Sequence, residues 1–262
     1  MRLGLAPPKT PLAPTPDNEA GFHESIPMTA LNELILKASG CNWHDCLSFD
    51  PDMLDDEVRV ATFERCTAIL REEFADHPAF VVKDPQLCLT LPIWRPALQA
   101  VGAAVSVLLV VRHPEEVASS VFWRDMLPMS ETALVWLHHT LEAERMTRDL
   151  PRAVVFYDDL VNDWRGCMAR AGRIANIAWP AQAGLSQRDT GDVVIPSLRH
   201  HNVASNPFVT ILKPPVSDLI NDAWLALGQL GNDPALPSVQ RRLDDVRERF
   251  ALHREASTKR GT

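Results

Sequence analysis

Apolar and polar positions alternate along this chain in blocks that change period. Residues 28–39, MTALNELILKAS, carry Leu31, Leu34 and Ile35 at helical spacing, and residues 57–76 carry Val60, Phe63, Thr67 and Leu70 near the same period, so both segments read as helices. The run AFVVK at 79–83 is short and β-branched, and reads as a buried strand. LTLPIWRPALQAV, which follows, reads as a short helix interrupted by prolines. SVLLVV at 106–111 is a second strand, PEEVASSVFWRDM a helix, and residues 130–150 a longer helix with Leu134, Leu137 and Leu141 on one side and Ser130 as N-cap. AVVFY at 153–157 is a third strand, and RGCMARAGRIANI a further helix. Residues 180–215 read as a long loop, and 216–230 and 236–256 as two closing helices, the second a solvated, densely charged one.

Strands that alternate with helices predict βαβ units: an α/β fold with a parallel sheet and helices on both faces. Three strands are legible, and a fourth is expected. Residues 1–16 hold five prolines and no apolar period, and form an N-terminal arm. An α/β domain is expected over 17–215, with a C-terminal helical appendage over 216–262.

Composition narrows the function classes. Hydrophobic residues make up 46% of the 262, enough for a substantial core, and the formal charge is −8, which argues against a nucleic-acid partner. The start of the chain lacks an apolar signal core, and the longest apolar run, about 100–111, is too short for a membrane span. The five cysteines show no CxxC pair and no His/Cys ligand spacing, so they read as reduced thiols of a cytoplasmic protein with no metal.

All three strands end in polar groups: Lys83-Asp84, Arg112-His113 and Tyr157-Asp158-Asp159. Ligands of open α/β sheets bind outside these carboxyl ends. Arg112 and Ser120 are eight residues apart, and a guanidinium at a strand end and a hydroxyl two helical turns on could converge on one phosphate. Pro114 at the first helical position and Glu115 and Glu116 in the first turn suit a helix start.

Four stretches together resemble a known family: PDNEAGFHES at 16–25, VVKDPQLCLTLPIWRPAL at 81–98, VLLVVRHPEEVASS at 107–120 and VVFYDDLVNDWRG at 154–166, with IPSLRHH at 195–201 as a weaker fifth. In order and spacing they are similar to the sulfotransferases that use 3′-phosphoadenosine 5′-phosphosulfate (PAPS), in particular the bacterial branch with carbohydrate acceptors. The resemblance implies a P-loop-like sulfotransferase fold and transfer of a sulfonate from PAPS to a hydroxyl of a saccharide or other small acceptor. It implies that Arg112 and Ser120 hold the 3′-phosphate, that Tyr157 approaches the adenine, and that Arg199, His200 and His201 close over the nucleotide. Lys83 would offset charge on the transferred sulfonate, and Glu24 and Asp84, with His113 as a third candidate, are the carboxylate and imidazole choices for general base. Asp159 fixes its loop rather than binding ligand.

The sequence departs from the family in two ways. Gln86 stands where members commonly have Arg after KDP. Residues 1–15 hold no strand followed by a glycine- and Ser/Thr-rich loop, the element whose backbone N–H groups would cradle the 5′-phosphosulfate. The expectation is an N-terminally truncated form, weak or inactive, or a non-catalytic remnant that binds a nucleotide or a partner protein. A kinase relative is disfavoured by the lack of GxxxxGK[ST].

Overall fold

The computed structural model describes residues 3–16, 18–19, 21–181, 212–231 and 233–261. They divide into two compact units, one of residues 3–106 with 178–181, the other of 107–177 with 212–261.

In the N-terminal unit, three helices surround one core. Helix α1 (Ile26–Ala38) starts at Ser25, whose hydroxyl accepts from the Met28 N–H, and has proline in its first turn. Helix α2 (Asp56–Phe74) packs on α3 (Leu87–Ala100). Met28, Leu31, Ile35, Leu70, Phe74, Leu89 and Trp94 are buried together. Two predicted faces are corrected. Leu34 is exposed, and α1 instead buries Asn32 and Leu36 beside Leu31 and Ile35. On α2, Val60 and Phe63 are exposed, while Thr62, Cys66, Ile69 and Glu73 turn inward. Glu73 is turned inward by a hydrogen-bonding partner, since it receives both the backbone N–H and the hydroxyl of Thr10, at 3.2 and 2.7 Å. α3 is continuous through Pro92 and Pro96.

The expected strand at 79–83 is not one. Its ladder is a single parallel bridge between Ala6 and Phe80, made by Ala6 N–H to Ala79 O and Val81 N–H to Ala6 O, both 3.0 Å. The next donor in a parallel ladder would be residue 8, and Pro8 has no N–H to give. The proline-rich arm is thus held against its unit at Ala6, at Thr10 and at Leu12, whose N–H donates to Glu24 O at 2.8 Å.

The C-terminal unit contains the sheet. Strands β1 (Val107–Val111) and β2 (Arg152–Phe156) pair in parallel, with Val107 opposite Arg152 and Val111 opposite Phe156. The chain is α/β, with a two-stranded parallel sheet among the described residues in place of the three strands expected. Helix α4 (Pro114–Asp125) follows β1 and ends at Met126 in the left-handed region, φ 57°. It packs on α5 (Met129–Met146), which starts after Pro128 rather than at Ser130 and ends four residues before Leu150. After β2 come α6 (Tyr157–Asn162) and α7 (Trp164–Ile174), the latter covering β2 through Cys167 and Ala171 against Ala153 and Val155. Tyr157, expected as the last strand residue, is the first of α6. α8 (Val216–Leu230) and α9 (Pro237–Gly261) pack on each other, and α8 reaches α5.

Most of β2 is buried, but β1 is covered fully only at Val111, and Val110 is 60% exposed. Among the described residues, no helix is long and apolar enough to cross a membrane.

Candidate functional site

The carboxyl ends of β1 and β2 lie side by side because the register puts Val111 opposite Phe156. Arg112 and Tyr157 are each the next residue. The Arg112 guanidinium lies over the Tyr157 ring, 4.8 Å from its centroid. This distance is within cation–π range.

Three further contacts fix the turn after β1. The Trp136 indole N–H, from α5, donates to the Arg112 carbonyl at 3.1 Å. The Arg112 Nε donates to Glu116 Oε2 at 2.9 Å. The His113 ring meets Trp224 of α8 edge-on, with centroids 4.8 Å apart, and Trp224 also meets Phe156 edge-on at 5.5 Å. One tryptophan therefore touches the chain just past the end of β1 and the last residue of β2. The sequence reading missed Glu116, Trp136 and Trp224. The i,i+4 spacing from Arg112 to Glu116 was the one available signal.

His113 is the N-cap of α4, and its Nδ1 accepts from the Glu115 N–H at 3.3 Å. The Glu116 and Val117 N–H groups both go to His113 O. The first turn of α4 thus spends these donors within the protein, and an anion here would depend on side chains. Burial pushes the His113 imidazole below its ordinary value, against the opposing pull of Glu116 and Asp158. Burial alone raises the neighbouring Glu115 carboxyl.

Arg112, Glu116 and Ser120 follow at successive four-residue steps, and Glu116 and Ser120 share one face of α4. Ser120 is half-buried. The Glu116 side chain is 1% exposed and that of Arg112 25%. The cluster is therefore a buried carboxylate beneath a partly exposed guanidinium, flanked by a tyrosine ring and a serine. Asp159, expected to fix a loop, lies in α6 and pairs with Arg170 of α7 at 3.0 Å.

The other predicted residues belong to the N-terminal unit. Lys83 forms an ion pair with Glu24; their side chains are 52% and 9% exposed. Asp84 is buried and satisfied on both oxygens: Oδ1 accepts from the Gln86 N–H at 2.8 Å, and Oδ2 from Asn32 Nδ2 at 2.9 Å. Asn32 in turn accepts from the Trp94 indole at 2.8 Å. Asp84 thereby ties the turn before α3 to α1. Gln86 is buried as well, with its Oε1 lacking a partner among the described residues. Burial raises the Cys88 thiol to about 11, with Asp84 adding to it, and lifts Cys46 and Cys66 to about 12, which leaves these thiols protonated and unreactive. Arg199, His200 and His201 lie outside the described residues.

No protein-family model, curated protein or solved structure matches this chain.

Proposed function

We propose that this protein belongs to the PAPS-dependent sulfotransferases, with their P-loop-like α/β fold, and binds the nucleotide through Arg112, Ser120 and Tyr157. The observation that carries the proposal is the preorganised arginine. Arg112 stands at the carboxyl end of β1, its carbonyl and Nε are both held, and its guanidinium carbon lies over the Tyr157 ring. A surface arginine that served only to end a strand would not need these constraints. A planar guanidinium held in this way suits a 3′-phosphate, with Ser120 as second donor and the tyrosine ring beside the nucleoside.

In the transfer step the acceptor hydroxyl oxygen forms a bond to sulfur. The bond from sulfur to the 5′-phosphate oxygen breaks, the hydroxyl proton passes to a base, and 3′-phosphoadenosine 5′-phosphate leaves. A saccharide or other small hydroxyl compound is the acceptor class. Of the two carboxylates expected as base, Glu24 supports the role better than Asp84. Glu24 pairs with a half-exposed Lys83, whereas Asp84 has both oxygens engaged inside its unit.

A second reading, nucleotide binding without transfer, is favoured by a specific fact: both carboxylates are already engaged within the N-terminal unit.

Calorimetry with 3′-phosphoadenosine 5′-phosphate and with AMP tests the assignment. The first should bind at least ~10-fold more tightly, about 1.4 kcal/mol. Arg112→Lys keeps a cation beside Glu116 but loses the planar fork, and should abolish most of that preference. Equal affinity for the two nucleotides sinks the 3′-phosphate assignment. Release of 3′-phosphoadenosine 5′-phosphate from PAPS in the presence of mixed saccharides separates the enzyme from the non-catalytic reading.

A further inference from the structure

We infer that Glu116 is the positioning residue of the anion site: it holds the Arg112 guanidinium in its binding orientation through the Nε edge. The inference rests on the proposed nucleotide reading for its ligand, but not for its geometry.

A carboxylate with 1% exposure is costly to bury unless it is paired. Glu116 meets that cost with Arg112 Nε at 2.9 Å. The same contact restrains the rotation of the guanidinium, whose carbon lies over the Tyr157 ring, 4.8 Å from its centroid. The Arg112 backbone is fixed independently, since Trp136 holds its carbonyl. Glu116 therefore acts on the side chain and Trp136 on the main chain. Glu116 also stands between the two groups assigned to the phosphate, one four-residue step from Arg112 and one from Ser120. Its negative charge opposes an incoming phosphate while its acceptor oxygen organises the guanidinium that binds it. The hydrogen-bond acceptor helps binding and the charge hinders it, so the two properties can be separated by substitution.

Glu116→Gln keeps the size and an acceptor oxygen and removes the charge. Glu116→Met keeps the size and removes both. Affinity for 3′-phosphoadenosine 5′-phosphate should stay the same or rise up to ~5-fold in E116Q and fall at least ~10-fold in E116M, with thermal unfolding recorded for both to confirm that they are folded. The chain has a single tyrosine, so carbon-labelled tyrosine gives one set of ring signals, those of Tyr157. Without any ligand, E116M should move these signals and E116Q should leave them near the wild-type positions. An E116M protein that binds the probe as tightly as wild type, or keeps the wild-type tyrosine signals, overturns the inference. If both variants bind more tightly, Glu116 acts only as a competing charge and the positioning role is likewise overturned. Should the wild-type protein not bind the probe at all, the nucleotide reading fails, and the ligand-free tyrosine spectra still decide the role of Glu116.

Discussion

Each end of the two-stranded sheet sets an arginine against a buried glutamate, and the two pairs are built differently. At the amino end, Arg152 is 3% exposed and is surrounded by acceptors. Its guanidinium reaches Glu144 Oε1 at 2.9 Å, Thr147 Oγ1 at 3.1 Å, and the carbonyls of Glu144 and Pro234 at 2.5 and 2.6 Å. Glu144 also takes Arg148 at 2.7 Å, and Arg148 continues to Asp244 on α9 at 2.9 Å. At the carboxyl end, Arg112 meets Glu116 with a quarter of its side chain in solvent and a tyrosine ring within cation–π range. The same two residue types make a scaffold where the cation is enclosed, and a candidate binding group where it reaches water.

The sharpest way to break this comparison is at Glu144. Glu144→Ala leaves Arg152 and Arg148 without their shared counter-charge in the interior, and should lower the unfolding free energy by about 3–5 kcal/mol in urea titrations. A loss below about 1 kcal/mol would put the two ends on the same footing.

Acid separates the two ends more gently. His113 has a lowered pKa in the fold, so the unfolded chain takes up a proton that the native protein refuses. The stability tied to this group is fully present above the unfolded value of about 6.5, and falls as pH drops from there toward the native value. The proton that ends it would occupy the Nδ1 lone pair that caps α4, worth about 1 kcal/mol. His113→Asn, which keeps a capping oxygen, should flatten the stability profile between pH 6.5 and 5; an unchanged slope would remove His113 from the account.

At the opposite end, partial burial tends to raise Asp244, yet Arg148 and Arg247 win and hold it below the ordinary carboxylate range. Its contribution is present above the unfolded value of about 4 and is lost only as pH falls through the lower native value. Asp244 is 38% exposed, so the effect is screened and Asp244→Asn should cost less than about 1 kcal/mol at pH 7. The carboxyl end therefore loosens first on acidification, and a profile in which the Asp244 step came at higher pH than the His113 step would reverse the order.

Local signals made the β1–α4 stretch legible from sequence. An apolar run stops at Arg112, and Pro114 at the first helical position marks the start of α4, which is where it begins. Arg112 and Tyr157 could be placed at strand ends, and the parallel register then brought them into contact. What was not legible depended on partners far away in the chain. Glu73 is buried with Thr10 as its hydrogen-bonding partner, while Val60 and Phe63 are left exposed. The run at 79–83 has strand composition, but the segment bridged to it at Ala6 is cut short by Pro8. The partners of Asp84, Asn32 and the Gln86 N–H, were likewise not legible, since Asn32 lies 52 residues away. Trp224 gave no sign in sequence of touching His113, more than a hundred residues earlier.

The ion network around Arg152 also bears on the order in which the unit assembles. Glu144, near the end of α5, and Arg148, in the turn that follows it, are four residues apart, so their pair is local in sequence. The bond from Arg148 to Asp244 closes 96 residues, and that from Arg152 to Pro234 closes 82. Long closures carry an entropic cost that must be met before the contact is gained. The half of the network on α5 and β2 is thus ready, and hydrated, before α8 and α9 arrive, and their docking is the event that removes the charges from water. Pulse-labelling hydrogen exchange during refolding should accordingly record protection in residues 129–156 ahead of 216–261; simultaneous protection would mean that the two halves condense as one.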